Sequence, residues 1–480
     1  MRPLTGAVVE SRSFGFRGKG DQMHIKKYDF DYGRRALLEK AAKGAFAAGV
    51  LAPLWPLIAR GADVSKAYPE ELTSIEAYTK GKIKPGDVLT ADNVDVVKDL
   101  LDPIAYQQVK RMGRRINIVA PTTDITKMFN HDFLEATLRN KGKSRFDESG
   151  NVAFEDGGPW RGGTPFPEPK DAKEALCNIT LSWGRHDYSL YAIRDWDIQP
   201  SGDEAYQYDF VWCELNTTAR TDGQVFEGHK DLLRLQSVFF TKPQDTAGTA
   251  YLSQWYYDQR RFPELYGYLP AFRRVRQFPT NQRFEPLVPG ITFFLSDAWS
   301  SGDPMLTWGN FRTIGRQPFL GAISGNWQGS HPNWEKNRHG GGKGKTFIDT
   351  YMEMIPEVIV LEAEPVGYPR APVSKKRVWI DVRNNMYVAS VSYDRRGEVW
   401  KSFETGSGQF VDGNTVFKDT SGYPAWSWTY VMCHDIQSNR MSILSHVKEV
   451  TGGYKTTFSP DGDVLNKYLT VQAMQRLGSA

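Results

Sequence analysis

The sequence predicts a mainly β, α+β protein, an antiparallel meander that curls into a barrel or half-barrel. Three observations carry this. Helical periodicity is nearly absent from Tyr188 to Asp258. Segments rich in aromatic and β-branched residues follow one another: "AYQYDFVWCELNTTAR", "LRLQSVFFT", "TAYLSQWYYD", "VIVLEAEPV", "RVWIDV", "MYVASVSYD", "EVWKSFE", "WSWTYVMCHD" and "RMSILSHV". Hairpin signals join several of them at Asn384-Asn385, Asp394-Arg395-Arg396-Gly397 and Gln437-Ser438-Asn439. Short strands in such succession build meanders and barrels, and a doubly wound α/β fold is excluded.

Residues 1–61 read as a leader. Arg34 and Arg35 precede a charge-free apolar run from Gly44 to Ala59. That run is shorter than the roughly 20 residues a membrane span needs, and Pro53 and Pro56 would break a helix interior. Ala59-Arg60-Gly61 offers small residues where a signal peptidase reads. Paired arginines in this setting resemble a Tat signal, which sends folded proteins to the periplasm. The plain alternative is an ordinary N-terminal helix with a chance Arg pair. Either Met1 or Met23 serves as the start.

The leader also carries the positive charge. The chain has 60 Lys+Arg against 56 Asp+Glu, of which residues 1–60 hold 11 and 5, leaving 49 against 51. A near-neutral body argues against a nucleic-acid partner. Cys177, Cys213 and Cys433 are too widely spaced for a metal knuckle, and read as buried small hydrophobes, one disulfide being the alternative.

Residues 62–165 form a helical and irregular segment. In it "LTADNVDVVKDLLDPIAYQQVKRMG" predicts a helix capped by Asp92 or Thr90, with Pro103 kinking or ending it. "NKGKSRFDESGNVAFEDGGPWRGGTPFPEPKD" reads as a long surface connection. Residues 166–480 hold the curved sheet, opened by a helix over "PKDAKEALCNITLSWG" with Asp171 as N-cap. A Trp/Gly-rich insertion, about 260–350, separates the strand groups and predicts a contact region for a ligand or partner.

No motif argues strongly for chemistry. "HGGGKGKT" has His339 where a phosphate loop needs its first glycine. The histidines show no ligand spacing, so no metal and no cofactor are expected, and no catalytic residue is assigned. Asp195 and Asp197 share a strand face, which reads either as a working pair or as a solvated surface. In "FRRVRQF", Arg274 and Arg276 fall on one face beside Arg273. This is either a solubilising edge strand or a cationic rim that grips an anionic head group. Trp255, Tyr256 and Tyr257 in succession put aromatics on both faces, as core packing or as a cavity wall for Trp255 and Tyr257.

"GGTPFPEPKDAKEALCN", "WYYDQRRFPELYGYLPAFRRVRQFP" and "KRVWIDVRNNMYVASVSYDRRGEVWKSFE" resemble three signature stretches of an uncharacterised periplasmic family labelled outer-membrane lipoprotein-sorting-like, in the same order. The resemblance covers most of the chain after about Gly86. It implies a LolA/LolB-like fold, an incomplete antiparallel β-barrel around helices with a hydrophobic cavity, and a resistance–nodulation–division-type exporter and outer-membrane protein as partners. The Tat-type leader and the stretch from Trp299 to Lys345 depart from the family pattern. The expectation is a periplasmic carrier for a lipid, sterol or other amphipathic small molecule, with Arg273, Arg274, Arg276, Trp255 and Tyr257 as ligand contacts. An assembly partner without cargo is the alternative, and an enzyme acting on a hydrophobic substrate is the weaker one.

Overall fold

Alternating apolar residues give a strand one face to bury, yet the strands here bury both. In the computed structural model, residues 63, 68–181, 184–279, 283–298, 303–323, 338–339, 346–412, 415–447 and 449–479 are described. The leader with Arg34 and Arg35, and Trp183, Trp299, Trp327 and Trp334, lie outside them.

The N-terminal part holds α1 (Glu70–Thr73), α2 (Ile75–Tyr78), β1 (Val88–Leu89), a 3-10 stretch (Val94–Leu100), α3 (Pro103–Met112), β2 (Ile116–Ile118), α4 (His131–Asn140), β3 (Ser144–Phe146), β4 (Val152–Phe154) and α5 (Ala172–Leu181). The first meander follows as β5 (Tyr188–Ile198), β6 (Glu204–Asn216), β7 (Leu232–Lys242), β8 (Ala250–Tyr256), β9 (Glu264–Leu269) and β10 (Arg274–Phe278). After β11 (Gly309–Gly321), β12 (Arg338–His339) and β13 (Phe347–Ile348) comes the second, β14 (Thr350–Glu364), β15 (Val373–Asp381), β16 (Met386–Asp394) and β17 (Val399–Gln409). It continues past β18 (Val411–Asp412) and β19 (Thr415–Val416) into β20 (Trp426–Asp435) and β21 (Arg440–His446), and α6 (Val464–Tyr468) and α7 (Val471–Ser479) close the chain.

One sheet of 15 strands runs β1-β2-β14-β15-β16-β17-β20-β21-β5-β6-β7-β8-β9-β10, with β11 on β14. The two meanders join where β21 pairs antiparallel with β5, from Met441↔Ile198 to His446↔Ile193. The long β14 shares one edge between β2, parallel at Thr350–Met352, and β11, antiparallel from Glu353 onward. No ladder among the described residues joins β10 to the opposite end, so the sheet stays open.

The inner face, with Tyr191, Ile193, Phe210, Phe240, Trp255, Phe403 and Val431, packs on Leu176 and Ile179 of α5. On the outer face Leu89, Val94, Val97, Ala105 and Val109 cover Trp196, Ile198, Met432 and Ile443. Val464, Leu469 and Met474 cover Leu190, Val211, Leu235 and Leu252. Two covered faces explain the aromatic content: β5 and β16 are buried along nearly their whole length.

Each of the nine quoted segments contains a strand, and Asn385 and Asn439 take the positive φ that their tight turns need. The segment before α3 differs from expectation. Proline forces the residue before it out of the helical region, so Asp102 is extended and caps α3 by accepting from Ile104 N at 2.8 Å and Ala105 N at 3.0 Å. Pro103 starts the helix rather than ending it. The supposed surface connection contains β3 and β4 and the fully buried Trp160. The insertion contains three sheet strands, β9 to β11. All three cysteines are buried and free, so the disulfide alternative is not formed.

The N-terminal layer is fastened by a buried network. Arg114 donates to Glu404 Oε1 at 2.6 Å and Oε2 at 2.8 Å and to Gln108 Oε1 at 2.6 Å, and Tyr430 donates to Glu404 Oε1 at 2.8 Å. Removing one partner strands a charge in the interior. Glu404→Gln should therefore cost about 3–5 kcal/mol in urea unfolding, and the Arg114→Met/Glu404→Leu double variant should recover most of it.

Candidate functional site

The chain must travel from β10, at one end of the sheet, to β11, near the other. Residues 283–298 make part of that crossing over the inner face, and we call them the strap. Ser296 N bonds Arg283 O at 3.1 Å and closes the strap into a loop. Asp297 Oδ2 accepts from Lys401 Nζ at 2.9 Å, and Lys401 also donates to Thr292 O at 2.6 Å. Lys376 Nζ donates to Ser296 O. Asp303 accepts from Arg283 Nε at 2.6 Å, from Trp308 Nε1 at 2.9 Å and from Ser296 Oγ. All five charged side chains are buried, and burial lowers the Lys376 pKa although Asp297 and Asp303 pull it up. This part of the hollow, expected as a hydrophobic chamber, is occupied by the protein's own strap.

Open space lies at the ends of the central strands, where β5 begins and β6 ends. A cleft of about 450 Å³ forms there between loops from five parts of the chain. Its floor is Tyr188, Leu215, Phe226, Phe458, Val464 and Leu465. Its polar lining sets Asp132, Asp187, Asp222, Asp419 and Asp463 against Arg185 and Arg220. Arg185 takes φ 63° in the turn between α5 and β5 and so sets His186 and Asp187 at the mouth.

Each group at the cleft has a definite state. The His186 ring stacks on Phe458 with centroids 4.0 Å apart, and its Nε2 lies 3.0 Å from Asn130 Nδ2 and 3.2 Å from Trp426 O. Burial pushes its pKa down to about 3, so the ring is neutral. Asp187 accepts from Thr221 N at 2.9 Å and Thr221 Oγ1 at 2.7 Å, with Arg220 at 4.0 Å. Burial raises its pKa nonetheless. Arg220 is engaged by Asp222 at 2.7 Å. The buried Arg185 guanidinium lies over the Phe133 ring, 4.6 Å from its centroid, and donates to Asn385 O at 2.8 Å; burial pulls its pKa down to about 9. Arg220 and Asp222 offset each other, and the four remaining aspartates outnumber Arg185, which leaves the lining acidic.

Of the residues read as ligand contacts from the sequence, none lines this cleft. Arg273, Arg274 and Arg276 are exposed at β10, and Arg276 lies over Phe272 at 4.6 Å. Trp255 is buried between Arg234 and Arg283, at 5.0 and 5.5 Å from its ring. Tyr257 accepts from Trp160 N at 2.7 Å and donates to Val152 O. The structure does not bring the arginines and these two aromatics into one pocket. Asp195 and Asp197 do share the inner face but are buried, which overturns the solvated reading. No spacing signal marked the cleft, because its loops meet through long-range pairings such as β21 with β5 and Leu190 with Thr457.

A family model described as a protein of unknown function, DUF1329, matches residues 88–475. The chain belongs to this family. Among solved structures, a DUF1329 family protein from Desulfovibrio piger is 13% identical, covering 64% of this chain and 100% of that one at a TM-score of 0.41. An outer membrane lipoprotein-sorting protein domain from Vibrio parahaemolyticus is 16% identical over 63% of this chain and 95% of that one, TM-score 0.40. A LolA superfamily protein from Nitrosomonas europaea is 13% identical over 63% and 98%, TM-score 0.33. Among curated proteins none matches. No helix among the described residues of this DUF1329 chain is long and apolar enough to cross a membrane.

The neutral His186 sets a pH dependence. Between about 6.5 and 3 the unfolded chain binds a proton that the folded chain refuses, so the histidine's contribution weakens as pH falls. Wild-type stability minus that of His186→Gln should rise with pH across this window, by at most about 1.4 kcal/mol per unit, in urea unfolding at pH 4 to 7.

Proposed function

We propose that this DUF1329 protein binds a small amphipathic molecule in the end cleft and works as a periplasmic carrier beside an envelope exporter. The observation that carries the reading is an apolar floor of six side chains beside an acid-rich polar lining. A cleft of about 450 Å³ lies in the usual range for small-molecule sites. That volume suits a compact ligand better than a diacyl lipid. The polar lining favours a polar group that donates hydrogen bonds, an amine or a hydroxyl, and opposes a carboxylate. Burial of the ligand's apolar part drives binding at about 25 cal/mol per Å² before ordering costs. The periplasmic setting and the exporter rest on the resemblance of the three quoted stretches.

Native mass spectrometry of the full protein, purified from its own envelope without detergent, should show an adduct lost on mild activation. In calorimetric titrations octylamine and octanol should bind at least about tenfold more tightly than octanoate, a difference near 1.4 kcal/mol. Leu465→Trp, which fills the floor, should abolish binding of both. Tightest binding by octanoate, or no adduct together with no binding of any probe, would sink the proposal.

One observation favours an assembly partner instead. β10 ends the sheet as an exposed edge, and Phe272 beside it is 53% exposed. An edge of this kind accepts an added strand. On this reading Arg274→Glu/Arg276→Glu removes envelope proteins from a pull-down and leaves cleft binding untouched.

A further inference from the structure

Outside the cleft, two carboxylates lack the partners that burial demands. Asp195 and Asp197 are buried on the inner face of β5. Neither oxygen of Asp195, nor Oδ2 of Asp197, has a hydrogen-bond partner among the described residues. Buried polar groups are nearly always paired, so this omission needs a reason.

What the pair faces is the strap. Tyr208, directly across from Asp195 in the ladder, donates to Pro289 O at 2.8 Å. Ser442, directly across from Asp197, donates to Asp197 Oδ1 and accepts from Thr292 N at 2.7 Å. Between those two anchors Gly290 holds φ +87°, and a Cβ there would stand 3.2 Å from Asp197 Oδ2 and 2.2 Å from the Tyr206 ring. The strap therefore lies directly on the pair at 289–292.

We propose that Asp195 and Asp197 form a proton-operated latch, which holds the strap on β5 while the carboxyls are protonated and releases it when they ionise. A carboxylic acid with unmade bonds tolerates burial far better than its anion, and two neighbouring anions repel. Released, residues 289–292 expose the carboxylates to water, while the Asp297 and Asp303 ion pairs hold the rest of the strap. The groups around the pair leave these oxygens unpaired. From β17 Lys401 reaches the same stretch of strap, but its ammonium is directed to Thr292 O and Asp297 Oδ2. β6 contributes Tyr206 and Tyr208, with Asp245 near Tyr208. β21 contributes Arg440, which draws the Asp197 pKa down but does not outweigh burial. β20 brings Cys433, whose thiol burial keeps protonated. Residues 288–292 of the strap carry no titratable side chain.

Burial lifts Asp197 to about 7 and, with the Asp197 charge beside it, lifts Asp195 well above the carboxylate range. The sign follows from where protons sit. Between about 4 and 7 the latched state keeps protons that the open state releases, so opening becomes easier as pH rises. Each unit of pKa difference between the two states is about a tenfold change in the opening equilibrium.

Hydrogen exchange on the full chain, corrected for the intrinsic pH dependence of amide exchange, tests the latch. Protection at Thr292 and its neighbours should fall at least about tenfold from pH 5 to pH 8, a modest share of the shift above. A peptide from β16 should show no such change. In Asp195→Asn/Asp197→Asn the strap should stay equally protected at both pH values. A strap whose protection in the wild type does not respond to pH, or responds in step with β16, overturns the latch with no variant needed. So does a folded double variant that keeps the wild-type dependence. The cleft plays no part in this experiment, so its outcome is independent of the ligand-binding proposal.

Discussion

Asp297, buried between Lys401 at 2.9 Å and Lys376 at 4.0 Å, fixes how this sheet is filled. Sheet order makes a crossing unavoidable: β10 ends one edge, β11 pairs with β14 near the other, and the chain between them must traverse a face. An uncharged connection could lie there in many registers. Buried lysines with fixed partners permit few, since any slip leaves an ammonium or a carboxylate in the interior without its counterpart. Such pairs add little net stability beyond what apolar packing would give, and their effect is on placement. Arg283 with Asp303, and Lys376 with Ser296 O, repeat the device at the strap's two ends.

Strands with an apolar or aromatic pattern were legible in the sequence because alternation and hairpin turns are local properties. The helix α5 (Ala172–Leu181) was legible too, and its cap forms through Glu174 N to Asp171 Oδ1 at 2.9 Å. What escaped depends on context. β9 to β11 lie among Gly, Pro and Arg, and become strands because neighbours offer free edges. Pro103 predicts a kink or an end because proline disrupts a helix interior, whereas proline at the first helical position costs nothing. Asp195 and Asp197 were correctly placed on one face, but burial depends on the strap that crosses them, which no local pattern announces.

The cleft was illegible for the same reason in stronger form. His186, Thr221, Asp419 and Phe458 come from loops spread over most of the chain, and they meet because the first long strand pairs with the last. A polar loop at a strand end looks the same whether it faces water or a ligand. The arginines of β10 had a visible pattern yet stand on an exposed edge, while the partner-poor Arg185 sits in the unremarked triplet Arg185-His186-Asp187.

Buried histidines and buried carboxyls titrate with opposite signs. His186, His434 and His446 are held neutral by burial, His434 down to about 4, and each favours the folded state more as pH rises. Asp102 and Asp197 are lifted to about 6 and about 7, and each favours it less. Global unfolding sums these terms, so each is read by difference between the wild type and its variant. Locally they do not mix. His434 bonds Gln108 in the outer layer at 2.9 Å, and His186 lines the end cleft, whereas Asp197 meets the strap through Ser442. One crossing segment can thus respond to pH by itself, provided the unpaired carboxyls lie under that segment.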